Sequence, residues 1–256
     1  MKKSCFAMLT LIFALCTVAV PSQAMDVDEL IAKHVEASGG AKKLDAVQST
    51  KVIGKFMTQG MEFPFSMIQK RPNLLRIEAE VMGMTMIQAY DGDHGWSINP
   101  MMGSTDPQLM GEFENKSFKM QADMDGLRSF KKRGYTMEYM GEEDVEGTPC
   151  YRLRVDTHED IVMDYFFDKE YFLVIKQAST VKMDENIIES QTYMSDYQDV
   201  DGMITPFAIE TRMGDMVANS IAFETIEHDV EVDDSIFVMP EAATPPPPPA
   251  TEGGGQ

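Results

Sequence analysis

The chain is poor in cysteine, tryptophan, histidine and positive charge, and each shortage closes off a class of function. Of its three cysteines, Cys5 and Cys16 fall within the first 24 residues. Beyond them only Cys150 remains, and one thiol cannot form an internal disulfide. Cys150 is therefore expected to be a buried small hydrophobe. Lys and Arg total 22 against 42 Asp and Glu, for a net charge of -20, and there is no basic stripe. Such a surface repels nucleic acid and anionic headgroups. It also suits solubility or a salty habitat. After residue 24 no apolar run is long enough to span a bilayer, so no stable membrane insertion is expected.

The four histidines, His34, His94, His158 and His228, are scattered and form no metal-binding pair. No G-x-S-x-G elbow is present, and Cys150 has no evident histidine partner. The expectation is a non-enzyme without a cofactor. Asp91-Gly92-Asp93-His94-Gly95 starts like a calcium loop, but its twelfth position is Met102, so the bidentate glutamate is missing. A hairpin turn is the better reading.

What the chain does have begins with a leader. Lys2 and Lys3 precede an apolar run from Phe6 to Val20, and Ser22-Gln23-Ala24 offers small cleavage residues. Residues 1–24 read as a secretory signal peptide cleaved after Ala24, which places the mature protein in the periplasm. Leu15 before Cys16 fits lipidation poorly. Cleavage removes two lysines and no acid, leaving a charge of about -22. Residues 241–256, with Pro245 to Pro249 and a glycine-rich end, read as a disordered tail.

Between leader and tail, residues 25–240 are expected to form one domain. Asp26 to Glu36 reads as a capped helix with Glu29 completing a capping-box pattern, Gly39-Gly40 ends it, and Ala41 to Val47 is a second short helix. Pro107 to Phe130 is expected to hold two short helices broken around Asn115 to Ser117. The rest alternates apolar and polar residues with turn signals at short intervals, as in an antiparallel meander: a sandwich, a barrel or an unclosed barrel.

The alternation is clearest from Met61 to Trp96. Met61, Phe63, Phe65 and Met67 fall on one face; Leu75, Ile77, Ala79 and Val81 on another run; Met84, Met86 and Tyr90 on a third. The buried face is rich in flexible Met and Phe, which adapt to greasy ligands of varied shape. Phe63, Phe65, Met67, Met84 and Met86 could line an acyl-chain cavity, although alternation alone does not separate a cavity from a packed core. Met82-x-Met84-x-Met86 also has a spacing suited to Cu(I), provided that Gly83 does not turn the chain between the sulfurs.

Short motifs in a consistent order resemble the LolA/LolB-like family of outer-membrane lipoprotein-sorting proteins. They are Lys70-Arg71-Pro72-Asn73, the Gly-Gly break after the first helix, Tyr90-Asp91-Gly92 with Trp96, the turns Val145-Glu146-Gly147 and Val200-Asp201-Gly202, and the closing Asp233-Asp234-Ser235-Ile236-Phe237 with Pro240. The resemblance implies a mainly β fold with a few helices: an unclosed antiparallel half-barrel under a helical lid. It implies a periplasmic carrier, in effect a transport chaperone, that shelters the acyl chains of lipoproteins or other lipidated ligands and needs no cofactor. It also implies that Arg71 holds the lid through backbone carbonyls. The family also contains members that sense envelope components, so a protein partner on the same scaffold is the alternative, with Met-based Cu(I) binding a third.

Overall fold

The computed structural model describes residues 25–103, 105–183 and 185–241. The leader at 1–24 and the tail from 242 lie outside the described residues. Helix α1 (Val27–Ala37) and helix α2 (Ala41–Ala46) precede five strands, β1 (Ser49–Thr58), β2 (Met61–Lys70), β3 (Leu74–Val81), β4 (Met84–Tyr90) and β5 (Gly95–Ile98). Then come β6 (Gln108–Leu109), α3 (Glu112–Gln121) and α4 (Leu127–Phe130). Seven strands complete the chain: β7 (Thr136–Val145), β8 (Thr148–Asp156), β9 (Ile161–Asp168), β10 (Val174–Met183), β11 (Asn186–Val200), β12 (Met203–Met213) and β13 (Met216–His228).

All the strands lie in one antiparallel sheet, in the order β6-β5-β4-β3-β2-β1-β13-β12-β11-β10-β9-β8-β7. Neighbours in sequence are neighbours in the sheet, except β6 and β7, and at the centre the first strand, β1, pairs with the last, β13. The edges β6 and β7 do not meet, so the barrel is unclosed. No helix among the described residues is long and apolar enough to cross a membrane.

The inner face is covered at its two wings by helices. Asp26 caps α1 by accepting from the backbone N–H groups of Asp28 and Glu29, which satisfies donors the first turn leaves open. Glu29 itself pairs with Lys33 along the helix. On one wing, Leu30 of α1 and Leu127 and Phe130 of α4 bury against Leu153, Val155, Met163 and Phe167. On the other, Phe118 of α3 and Ala122, which caps its C-terminus, bury against Leu75 and Tyr90. Gly39 is required between α1 and α2: its φ is +116°, and a Cβ there would lie 2.5 Å from the Gly202 carbonyl oxygen in the β11–β12 turn.

The outer face carries two further features. The β7–β8 hairpin curls back over it, burying Val145, Cys150 and Phe166 in a small cluster. Arg212 of β12 reaches Glu146 in that hairpin's turn at 2.7 Å. Cys150 is fully buried, and burial pushes its thiol up to about 11. The closing segment straps the other wing: Trp96 donates to the Phe237 carbonyl at 2.7 Å and Arg76 to that of Ile236 at 2.6 Å.

The expected helix break at Asn115 to Ser117 is a correction. Helix α3 runs unbroken through these residues, and the break falls at 122–126, where Gly126 has φ +51°. One tertiary contact and one pair within the helix support this stretch. Asn115 accepts from the Gly95 backbone N–H, and Lys116 pairs with Glu112 one turn back. Pro107 precedes the short edge strand β6 rather than a helix.

Candidate functional site

The starts of β1 and β12 and the ends of β2 and β13 face a gap that neither helical wing fills. It is a cavity of about 250 Å³. Val52, Met67, Met203, Phe223 and Ile226 form its sheet wall. Leu44 and Val47 of the α2 segment, Ser38 and Met124 form the lid side. Its floor follows from strand register: Val52 sits opposite Met67 on one side and Ile226 on the other. Thr50, Gln69, Thr205 and His228 are the polar groups on its wall. Gln69 donates to the Gln121 carbonyl at 2.7 Å, and the Thr50 hydroxyl lies 3.2 Å from His228 Nδ1.

Arg71 closes the lid side. Its Nε donates to the Val47 carbonyl at 2.8 Å and its Nη2 to the Leu44 carbonyl at 3.0 Å. Its Nη1 reaches Asp125 at 2.8 Å, and Asp125 also takes Arg128 at 2.8 Å. Arg128 continues to Asp45 of α2. One guanidinium thus uses its fixed fork of donors to join a sheet turn to α2 and to the loop before α4. Burial alone would push the Asp125 carboxyl up, but the Arg71 hydrogen bond and the charges of Arg71 and Arg128 outweigh it and hold the carboxyl below its ordinary value.

The residues singled out from sequence are not all in one place. Met67 lines the cavity. Phe65 lies just beyond it, its ring 6.2 Å from that of Phe223. Phe63, Met84 and Met86 continue along the same face toward the far ends of the strands, half-buried and outside the cavity lining. Phe65 can lie across the floor because its β1 neighbour is Gly54; a Cβ there would come within 2.9 Å of its ring and 2.4 Å of the Ala222 carbonyl oxygen. Met82 occupies the β3–β4 turn at φ +52° and is 69% exposed, so it stands apart from the face that carries Met84 and Met86. Asp91 spends its carboxylate on the backbone N–H groups of Asp93 and His94, as a turn residue does.

Sequence reasoning missed Met203, Phe223, Ile226 and His228. All lie on β12 and β13, whose pairing beside β1 is a long-range event. A register shift between Ile53 and Gly54 also puts Phe223 and Ile226 on one face although they are three residues apart. The alternation Ile221-Ala222-Phe223 was the available signal, and the bulge hides its continuation.

Among other depressions, two lie away from the lid. An outer-face cleft of about 440 Å³ has a charged rim of Glu146, Glu210 and Arg212. A wide groove of about 810 Å³ runs beside α1, lined by Phe172, Tyr171 and Tyr197. Neither lies between the sheet and its lid.

No protein-family model and no curated protein matches the sequence. Among solved structures, a DUF1329 family protein from Desulfovibrio piger is similar, with TM-score 0.58 and 15% identity over 83% of this chain and 97% of that one. A putative outer membrane lipoprotein-sorting protein domain from Vibrio parahaemolyticus gives 0.55 and 11% over 82% and 94%. A LolA superfamily protein from Nitrosomonas europaea gives 0.55 and 10% over 81% and 96%. At these identities the likeness is one of architecture, and with the unclosed antiparallel sheet and its helices it gives the chain a LolA-like fold.

Proposed function

We propose that this protein is an exported, non-catalytic carrier or binding protein that shelters acyl chains of lipoproteins or other lipidated ligands on its inner face. The observation that carries the reading is the apolar cavity between the sheet and an arginine-tied lid. From there Phe65, Phe63, Met86 and Met84 extend the same face beyond the helices. Each methylene removed from water is worth about 0.8 kcal/mol, so even a modest length of chain rewards a dry shelter. Methionine walls re-pack around chains of different shape. The similarity to a lipoprotein-sorting domain agrees with this reading. The leader at 1–24 supports a periplasmic location.

The test is native mass spectrometry of the mature protein purified from its own periplasm, followed by organic extraction. A copurified lipid or lipopeptide is expected, and Phe65→Glu should lose it while remaining folded, because a carboxylate there would face the acyl chain. Unchanged loading of Phe65→Glu would remove Phe65 from the site. A second reading, an envelope interaction or sensor protein, draws on the open groove beside α1. A clean apo mass with no uptake of acyl probes would favour it.

A further inference from the structure

One wall of the cavity is not apolar, and its chemistry is incomplete. His228 ends β13 opposite Thr50 and lines the cavity. Its Nδ1 is engaged by the Thr50 hydroxyl at 3.2 Å. Its Nε2 is buried and has no hydrogen-bond partner among the described residues. A buried polar atom left without a partner is destabilising, and native proteins leave few of them. The other such atom, Arg152 Nε, belongs to an outer-face ion cluster with Glu143 and Asp164 and has no part in the cavity. The polar groups on this wall gather at one end. Ser38 bonds through its carbonyl to the Ile204 N–H at the start of β12, and Thr205 follows directly. The apolar floor leads away from that end toward Phe223 and Phe65. A ligand with one polar end and one greasy end matches this gradient.

We infer that His228 Nε2 is the hydrogen-bond donor to the carbonyl oxygen at the head of an acyl ligand seated in this cavity. The inference rests on the acyl-binding reading of the same site. When the Thr50 hydroxyl donates to Nδ1, the ring holds its proton on Nε2, the tautomer that an acceptor oxygen requires. The methionines Met67, Met124 and Met203 on the surrounding wall are unbranched and can give way to admit the head group. The anchor would choose acyl compounds over plain hydrocarbons and set which end enters first. Free acids and esters share the carbonyl, so the anchor accepts either.

The experiment compares three probes of equal chain length by competition: palmitic acid, methyl palmitate and hexadecane. The native protein is expected to bind the acid and the ester about tenfold more tightly than the alkane, the scale of one hydrogen bond to a group otherwise left unpaired. In His228→Phe that preference should vanish while alkane affinity stays within about twofold. Acid above ester would identify free fatty acid as the source, and equality would identify acylated ligands. A preference retained in His228→Phe, or an equal loss for all three probes, would overturn the anchor. Absence of binding by all three to the native protein would overturn the acyl-binding reading itself and the anchor with it. As a measure that needs no variant, the His228 imidazole nitrogen resonances should move on adding palmitic acid and stay in place with hexadecane. Resonances that stay in place with both would overturn the inference.

Discussion

His34 shows how a single residue ties a helix to the sheet. It lies on α1, places Nδ1 2.9 Å from the Phe172 carbonyl, and meets the Phe167 ring edge-on at 5.3 Å. Burial lowers its pKa from the ordinary 6.5, with the Phe172 carbonyl opposing that shift. Because the folded value is depressed, the unfolded chain binds the extra proton first as pH falls. The stability His34 contributes is complete above about 6.5 and declines as the pH drops below it toward the folded value. Urea midpoints should therefore fall between about pH 7.5 and about pH 5, and His34→Gln should flatten that slope. An unchanged slope would show that other groups set the acid response. At this scale the sequence was informative where a residue's role is local. Cys150 as a buried hydrophobe, Asp26 as a cap and Asp91 as a turn former could all be read from their neighbours. Arg71 was legible only through a family resemblance, since nothing local shows which carbonyls lie within its reach. His228 was not legible at all, because its partner Thr50 is brought to it by strand pairing.

At the scale of elements, α2 is the part most dependent on its ties. It has six residues, starts at Gly40 without a side-chain cap, and buries none of them fully. A helix this short does not persist in water alone. Arg71, through Leu44 and Val47, Arg128, through Asp45, and Lys43, which donates to the Gly202 carbonyl at 3.2 Å, hold it over the cavity. Arg71→Leu should thus release the lid locally rather than unfold the sheet. Acyl-probe dissociation is expected to quicken by about tenfold or more, the scale of one or two charged hydrogen bonds, with a smaller change in thermal midpoint. A variant that simply unfolds would show that Arg71 is structural. Element types were readable because their signals are short-range: the hairpin tips at Gln59-Gly60 and Met82-Gly83 and the Gly39-Gly40 break fall where turn residues predict. Helix α3 was misread for the same reason. Asn115 to Ser117 look like a break until Asn115 finds the Gly95 N–H on a neighbouring strand.

The whole molecule is governed by the β1–β13 pairing and by charge. The first and last strands meet at the centre of the sheet, so most of the chain must be in place before the cavity floor exists. The excess of acid, 42 against 22 basic residues, opposes compaction through self-repulsion. Many of its exposed ion pairs contribute little individually. Raising salt from about 20 mM to about 0.5 M should therefore raise the urea midpoint, since screening relieves the long-range repulsion more than it weakens the surface pairs. A lower midpoint at high salt would place the balance with the ion pairs instead.

Period-2 alternation, turn chemistry and helix caps are properties of a few neighbouring residues, so the strands, most of their boundaries and the inward face of Met61 to Tyr90 were already determined by the sequence. Which inward faces meet depends on contacts far apart along the chain. Only the tertiary structure decided that Val52 and Met67 share a cavity with Phe223, Ile226 and His228, that a bulge beside Gly54 puts Phe223 and Ile226 on one face, and that Arg71 reaches the carbonyls of Leu44 and Val47. The reason is physical: alternation assigns each side chain a face, but register, bulges and long-range pairing assign that face its neighbours.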